Sequence, residues 1–156
     1  ILQKMNENLL LHNSETLKHV NEVRQNLWTL IRELDRRASV HDASKFESPE
    51  AEVFAENTPK LAKTEYGGPE YQELLKTVKV AIDHHYSKND HHPEYYNKGI
   101  EEMDLLQIIE MLSDWVAATK RNKNGNIHRS IELNTERFKM TPQLASILRN
   151  TVDRYF

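Results

Sequence analysis

Apolar residues recur at helical spacing along most of the chain, and this periodicity constrains its fold more than any other feature. One such run lies between about residues 9 and 34, where apolar side chains return with a period near 3.6. They are Leu17, Val20, Val23, Leu27, Leu30, Ile31 and Leu34. No stretch alternates apolar and polar residues with a period of two, which is typical of a half-buried strand. The sequence therefore predicts an all-α protein, a single-domain helical bundle over residues 1–156.

The same spacing predicts helices in the second half of the chain. One runs from about Pro69 to His85, with these residues facing inward: Tyr71, Leu74, Leu75, Val78, Ala81 and Ile82. Another covers residues 101–120, with these on its buried side: Leu105, Leu106, Ile109, Leu112, Val116 and Ala117. Two C-terminal helices fill residues 127–156, the last marked by Thr141 as N-cap and Pro142 at the first position.

The segment 47–68 differs from its neighbours because helix breakers interrupt it. Ser48-Pro49, Thr58-Pro59 and Gly67-Gly68-Pro69 leave room for one or two short helices at most. We expect a long excursion here, a candidate lid over a substrate.

Composition excludes several classes of function. The 21 Lys and Arg against 24 Asp and Glu give a net charge of -3, which argues against a broad cationic surface and against long nucleic acid as the main substrate. The absence of cysteine excludes disulfides, thiolate chemistry and cysteine-based zinc sites. No apolar run approaches the roughly 18 residues of a membrane span, and the start at Ile1 shows no signal-peptide pattern. We expect a cytoplasmic protein without a membrane partner.

Histidine is the residue type that points to chemistry. The chain has eight histidines, and four of them, His84, His85, His91 and His92, fall within nine residues. Imidazole and carboxylate ligands without sulfur suit Mn, Fe, Co, Ni or Zn, with Mg also open. The clustering predicts a divalent metal site; four unrelated surface histidines are the alternative.

Three candidate ligands stand out by position. The adjacent pair His41-Asp42 can reach one ion only at a helix end or irregular turn, and it follows the first predicted helix; a plain surface helix start is the alternative. His85 continues the inward stripe of its helix. Asp114 lies in an otherwise apolar run, where a carboxylate is costly unless it is paired or bound to metal, although Ser113 beside it permits a polar face.

These residues together resemble a known superfamily. The ordered set His19, His41-Asp42-Ala43-Ser44-Lys45, His84-His85 and Asp114 resembles the HD superfamily of metal-dependent phosphohydrolases. The strings at 41–46, 91–96 and 110–115 are similar to an uncharacterised HD-like family of bacteria and phages. The resemblance covers about two-thirds of the chain, from His19 to Lys120, with a metal-site core at about 12–120.

The resemblance implies an HD-type helical fold with a set of metal ligands. A first ion would be held by four residues: His19, His41, Asp42 and Asp114. Asp42 would bridge to a second ion, if two are present, held by the later histidines, among which we favour His85 and His91. The Gly-Tyr-Pro element of cyclic dinucleotide phosphodiesterases is missing, which argues against that substrate.

The remaining candidate residues would act on the substrate. Lys45 can hold a phosphate as a point charge, or it can merely pair with Glu47 or Asp42. His84 can protonate the leaving oxygen. We expect His92, Tyr95 and Tyr96 to contact the substrate, although aromatic residues at helix junctions also fill cores.

The predicted function is hydrolysis of a phosphate ester, in a nucleotide or another small phosphorylated metabolite, by metal-activated water. Two alternatives stay open: an HD-type di-iron oxygenase with the same ligand types, and a non-catalytic helical module with a structural metal. A homodimer through the apolar face of the last helix, near Tyr155-Phe156, also stays open.

Overall fold

The computed structural model describes residues 2–61, 64, 69–121 and 124–156. Within these ranges the regular structure is helical and contains no strand, so the all-α prediction is confirmed. The α-helices are α1 (Leu2–Val40), α2 (Glu50–Leu61), α3 (Pro69–Thr77), α4 (Lys79–Lys88), α5 (Leu105–Thr119), α6 (Ile127–Arg137) and α7 (Pro142–Tyr155). Short 3-10 helices cover Ala43–Phe46, Pro93–Tyr95 and Gly99–Glu102. No helix in the described ranges is both long and apolar enough to cross a membrane.

The chain divides into two compact units, Ile1–Ser39 and Val40–Phe156. The first unit consists of α1, which extends beyond the predicted limits of about 9 and 34 because no glycine or proline interrupts residues 2–40. Six side chains of its predicted apolar stripe are solvent-exposed: Leu17, Val20, Val23, Leu27, Leu30 and Ile31. The single domain over residues 1–156 stays a prediction.

The hydrophobic core of the second unit lies among α5, α6 and α7. Six buried side chains form one cluster: Leu112, Val116, Ile131, Met140, Leu148 and Val152. Both C-terminal helices begin at side-chain caps, since Asn126 accepts from the Arg129 N–H and Thr141 accepts from the Leu144 N–H. The predicted start of α7 at Thr141-Pro142 is confirmed.

The predicted buried side of α5 was partly wrong. Leu112 and Val116 are buried, but Leu105 is 75% and Ile109 is 44% exposed. Met111, which was not among the predicted residues, is buried. The buried side of α5 is therefore formed by Met111, Leu112 and Val116, and Leu105 in the first turn is exposed to solvent. Asp114 and Glu110 then lie on the partly buried flank of the helix.

Two other predictions differ in detail. The helix expected from Pro69 to His85 is broken at Val78, which is fully buried between α3 and α4. The candidate lid at 47–68 contains a 12-residue helix, α2, with Pro59 inside its last turn. The lid itself stays a prediction, because residues 62–63 and 65–68 lie outside the described residues.

A capping box fixes where α5 begins. The Asp104 carboxylate accepts from the backbone N–H groups of Leu106 and Gln107, while the Gln107 side chain accepts from the Asp104 N–H. The Gln107 amide also donates to the Asp90 carboxylate at 2.9 Å, which joins the start of α5 to the loop after α4. That loop carries His91 and His92.

We expect Asp104→Ala to lower the free energy of unfolding by about 1 kcal/mol, because two helix N–H groups lose their acceptor. Asp104→Asn is the matched control, since asparagine caps as well as aspartate. Urea denaturation of the three proteins measures the difference. Equal stability of Asp104→Ala and the unsubstituted protein would contradict the role of the cap.

Candidate metal centre

The site begins where α1 ends. His41 follows the helix, and Asp42 turns the backbone into the left-handed region, with φ 56° and ψ 21°, before the 3-10 helix Ala43–Phe46. Asparagine and aspartate tolerate this conformation better than most residues. The turn places the His41 Nε2 atom 3.5 Å from Asp42 Oδ2. The expectation that adjacent residues converge at a helix end is confirmed for this pair.

The end of α4 and the loop after it supply three imidazoles. The Nε2 atoms of His85 and His91 lie 3.3 and 3.5 Å from Asp42 Oδ1. The Nε2 atom of His92 lies 2.9 Å from that of His85. His85 and His91 are buried. For His85 this agrees with its predicted place on the inward stripe of its helix. Asp42, His85, His91 and His92 are spaced closely enough to hold a metal ion.

Helix α5 adds two carboxylates, Glu110 and Asp114. Residues four apart lie on one helix face, so both reach the same cluster. The Asp114 Oδ1 atom lies 3.8 Å from His41 Nε2, and His41, Asp42 and Asp114 form a second metal-capable group. Glu110 Oε1 lies 2.8 Å from His41 Nδ1 and 3.2 Å from His91 Nδ1, and forms a third group with these histidines. Together the three groups contain seven residues, which we call the metal-capable cluster: His41, Asp42, His85, His91, His92, Glu110 and Asp114.

Two glutamates of the site were missed by the sequence analysis. Glu110 lies within the string at 110–115 but was not predicted as a site residue, although its spacing from Asp114 places both on one face of α5. Glu50, at the start of α2, is completely buried and contacts both His84 and His85. No local pattern marks Glu50, because an acidic residue in a first helical turn is common on surfaces.

The other predicted site residues fall in different places. Lys45 contacts Asp42 with its Nζ atom 2.5 Å from Oδ2, which is one of the two pairings left open. His84 contacts Glu50 and lies outside the three groups. His92, expected to contact substrate, lies within the metal-capable cluster. His19 is exposed on α1 in the first unit, so its role as a ligand stays a prediction.

The predicted substrate tyrosines line open clefts. Tyr95 borders a cleft of about 710 Å³, together with Asp83, Tyr86, Ser87, Glu94 and Arg137. The Tyr86 ring also lies 4.9 Å from the His92 ring, so the cleft adjoins the metal-capable cluster. Tyr96 lines a neighbouring cleft of about 470 Å³. Both clefts are formed within the second unit.

Close contact among these groups shifts their protonation. The neighbouring carboxylates of Asp114 and Glu110 raise the pKa of His41 to about 10, against the effect of burial. Burial alone would raise the pKa of Asp42, but the nearby His85 and Lys45 hold it well below its usual range. Burial lowers the pKa of His92 to about 3, and the adjacent His91 adds to this effect.

The remaining carboxylates also stay ionised. Burial raises the pKa of Asp114, but the nearby His41 outweighs burial and the net pKa is lowered. Burial also raises the pKa of Glu50. The nearby His84, Ser44 and His85 lower it by more, so the net pKa of Glu50 lies below its usual value. The cluster without metal therefore combines ionised Asp42 and Asp114 with a protonated His41 and a neutral His92.

These pKa values predict how the stability of metal-free protein depends on pH. Because the pKa of His41 is raised from 6.5 to about 10, its contribution is complete below pH 6.5 and is lost as pH rises toward 10. Urea unfolding of chelator-treated protein across this range should show falling stability. His41→Asn should flatten this decline, whereas His128→Asn, an exposed control, should not. An unchanged slope in His41→Asn would contradict the assignment.

Comparison with known proteins yields a family and little else. No curated protein and no solved structure matches the chain. One family model, described as a family of unknown function, matches residues 9–154. The matched range includes every residue of the metal-capable cluster. The chain belongs to this family of unknown function, DUF5662.

Proposed function

We propose that the metal-capable cluster binds one or two divalent transition-metal ions and that the protein hydrolyses a small phosphate ester. The observation that carries the proposal is a pair of buried polar atoms. Asp42 Oδ1 and His91 Nε2 are buried, lie 3.5 Å apart and make no hydrogen bond to any described residue. Buried polar atoms are normally paired, because leaving one unsatisfied costs about 1–3 kcal/mol.

The donor set fits a divalent ion. Imidazole nitrogens and carboxylate oxygens, without sulfur, suit Mn, Fe, Co, Ni or Zn. Two of the metal-capable groups share Asp42: one adds His41 and Asp114, the other His85, His91 and His92. A carboxylate shared in this way supports the expectation that Asp42 bridges two ions. The two oxygens of Asp42 face different histidines: Oδ2 faces His41, and Oδ1 faces His85 and His91.

The residues around the cluster suit phosphoryl chemistry. A divalent ion, when bound, supplies a Lewis acid and lowers the pKa of a water molecule on it. Lys45 adds a cation beside Asp42, and its side chain is 38% exposed, so its ammonium can also contact a phosphate oxygen. The cleft that adjoins His92 offers Tyr86 and Tyr95 to the organic part of a substrate. We infer a nucleotide or another small phosphorylated metabolite as substrate, by resemblance to HD phosphohydrolases.

Metal binding tests the first half of the proposal. We expect protein purified without chelator to hold metal, and chelator-treated protein to rebind Mn²⁺, Co²⁺ or Zn²⁺ in calorimetric titration. Asp42→Asn should weaken binding at least 10-fold, because asparagine keeps the left-handed turn but removes the charge. Asp83→Asn, at an exposed ion pair on α4, is the matched control. Unsubstituted protein that binds none of these ions would sink the proposal.

Phosphate release tests the second half. A panel of nucleoside mono-, di-, tri- and cyclic phosphates, assayed with Mn²⁺, Co²⁺, Ni²⁺ or Mg²⁺, should yield phosphate hydrolysis with at least one member. Asp42→Asn should lose this activity while circular dichroism shows an unchanged helical content. Metal-loaded protein that hydrolyses none of the panel would favour a non-catalytic module. Two irons with a mixed-valent signal would instead favour an oxygenase.

A further inference from the structure

Glu50 carries a negative charge into the protein interior, where it meets two histidines. Its side chain is completely buried at the start of α2. Oε1 lies 2.7 Å from His84 Nδ1, and Oε2 lies 2.9 Å from His85 Nδ1. A buried carboxylate is costly unless hydrogen bonds satisfy it. Each oxygen of Glu50 therefore has its own imidazole partner.

Glu110 repeats this arrangement on the other side of Asp42. Its Oε1 atom lies 2.8 Å from His41 Nδ1 and 3.2 Å from His91 Nδ1. In both cases a glutamate contacts two histidines, and in both cases the contact is made at Nδ1. The Nε2 atoms of His41, His85 and His91 are the ones that lie within 3.5 Å of Asp42.

Counting donors fixes the proton on His85. An ionised carboxylate only accepts hydrogen bonds, so a nitrogen hydrogen-bonded to it carries the hydrogen. His85 Nδ1 makes such a bond to Glu50, whereas Asp42 Oδ1, which faces Nε2, makes no hydrogen bond to a described residue. The Asn89 amide also lies 3.0 Å from His85 Nδ1, but its two N–H groups donate to the His85 carbonyl at 2.8 Å and to Ser44 Oγ at 2.7 Å. Ser44 Oγ itself lies 3.4 Å from His85 Nδ1, farther than Glu50. The Nδ1–H of His85 therefore donates to Glu50.

The opposite nitrogen of His85 is then an acceptor. Its Nε2 atom lies 2.9 Å from His92 Nε2, a contact that needs one donor and one acceptor. With the hydrogen on Nδ1 of His85, His92 donates and the His85 Nε2 lone pair accepts. A metal ion would take this lone pair in place of the His92 N–H, since His85 Nε2 also faces Asp42 Oδ1 at 3.3 Å.

We infer that Glu50 and Glu110 are positioning residues that accept the Nδ1–H groups of His84, His85, His41 and His91, so that the Nε2 atoms of His41, His85 and His91 face Asp42 as ligands. This inference rests on the proposed metal site. It assigns Glu110 outside the ligand set, although its spacing from His41 and His91 would itself permit an ion. Carboxylates that hold ligating histidines in this way fix the tautomer and raise ligand basicity.

The first test reads the ring nitrogens directly. Two-bond ¹H–¹⁵N correlation spectra of the metal-free chain should show a protonated Nδ1 in His41, His84, His85 and His91, and an unprotonated Nε2 in His85. The zinc-loaded chain should keep the four Nδ1 protons and show Nε2 coordination in His41, His85 and His91. An unprotonated Nδ1 in His85 or His91, in either form, would overturn the inference. This result does not depend on whether the variants below fold.

The second test measures metal affinity. Glu50→Gln and Glu110→Gln each place an amide donor against an imidazole, and should weaken Zn²⁺ binding 10–100-fold in competition titrations. Co²⁺-loaded Glu110→Gln should keep the absorption spectrum of the unsubstituted protein, since the ligands are unchanged. Glu56→Gln, exposed on the same helix as Glu50, should bind normally. Unchanged affinity in Glu50→Gln, or a shifted spectrum in Glu110→Gln, would overturn the inference.

The two proposals fail separately. If the unsubstituted chain binds no metal, the proposed function fails, while the proton positions in the metal-free spectra still decide the role of the glutamates. If it binds metal but the glutamine variants bind equally well, the positioning role fails and the metal site stands.

Discussion

The candidate site depends on the convergence of imidazoles on one carboxylate, that of Asp42. Its two oxygens face the Nε2 atoms of His41, His85 and His91 from three separate stretches of chain. Helix α5 contributes Asp114 and Glu110 from a fourth. These groups are buried or half-buried, where an unpaired polar atom is costly, and two of their atoms, Asp42 Oδ1 and His91 Nε2, make no hydrogen bond to a described residue.

Most of the site residues lie at or next to the ends of helices. The end of α1 supplies His41, the start of α2 supplies Glu50, and the end of α4 supplies His85. The capping box at Asp104 fixes the start of α5, and the bond from Gln107 to Asp90 ties it to the loop that carries His91. The core around Ile131 is formed by α5, α6 and α7, and α5 serves both purposes: Leu112 and Val116 pack into the core, while Glu110 and Asp114 reach the site.

The sequence could predict those site residues whose local pattern is unusual. Asp114 was recognisable as a carboxylate in an apolar run, His85 as an imidazole on an inward stripe, and His41-Asp42 as a pair at a helix end. Glu50 and Glu110 were not, because their partners lie 19 to 69 residues away and nothing local separates them from surface glutamates. The break at Val78 escaped prediction because no glycine or proline marks it.

The backbone at Asp42 has a consequence for anyone who engineers this protein. A φ of 56° is a conformation that glycine adopts without a steric penalty, while other residues lose on the order of 1 kcal/mol there. A substitution at this position therefore has to suit the backbone as well as the charge. Glycine and asparagine suit the turn but carry no carboxylate, whereas glutamate carries the carboxylate but does not suit the turn. No single exchange at residue 42 keeps both properties.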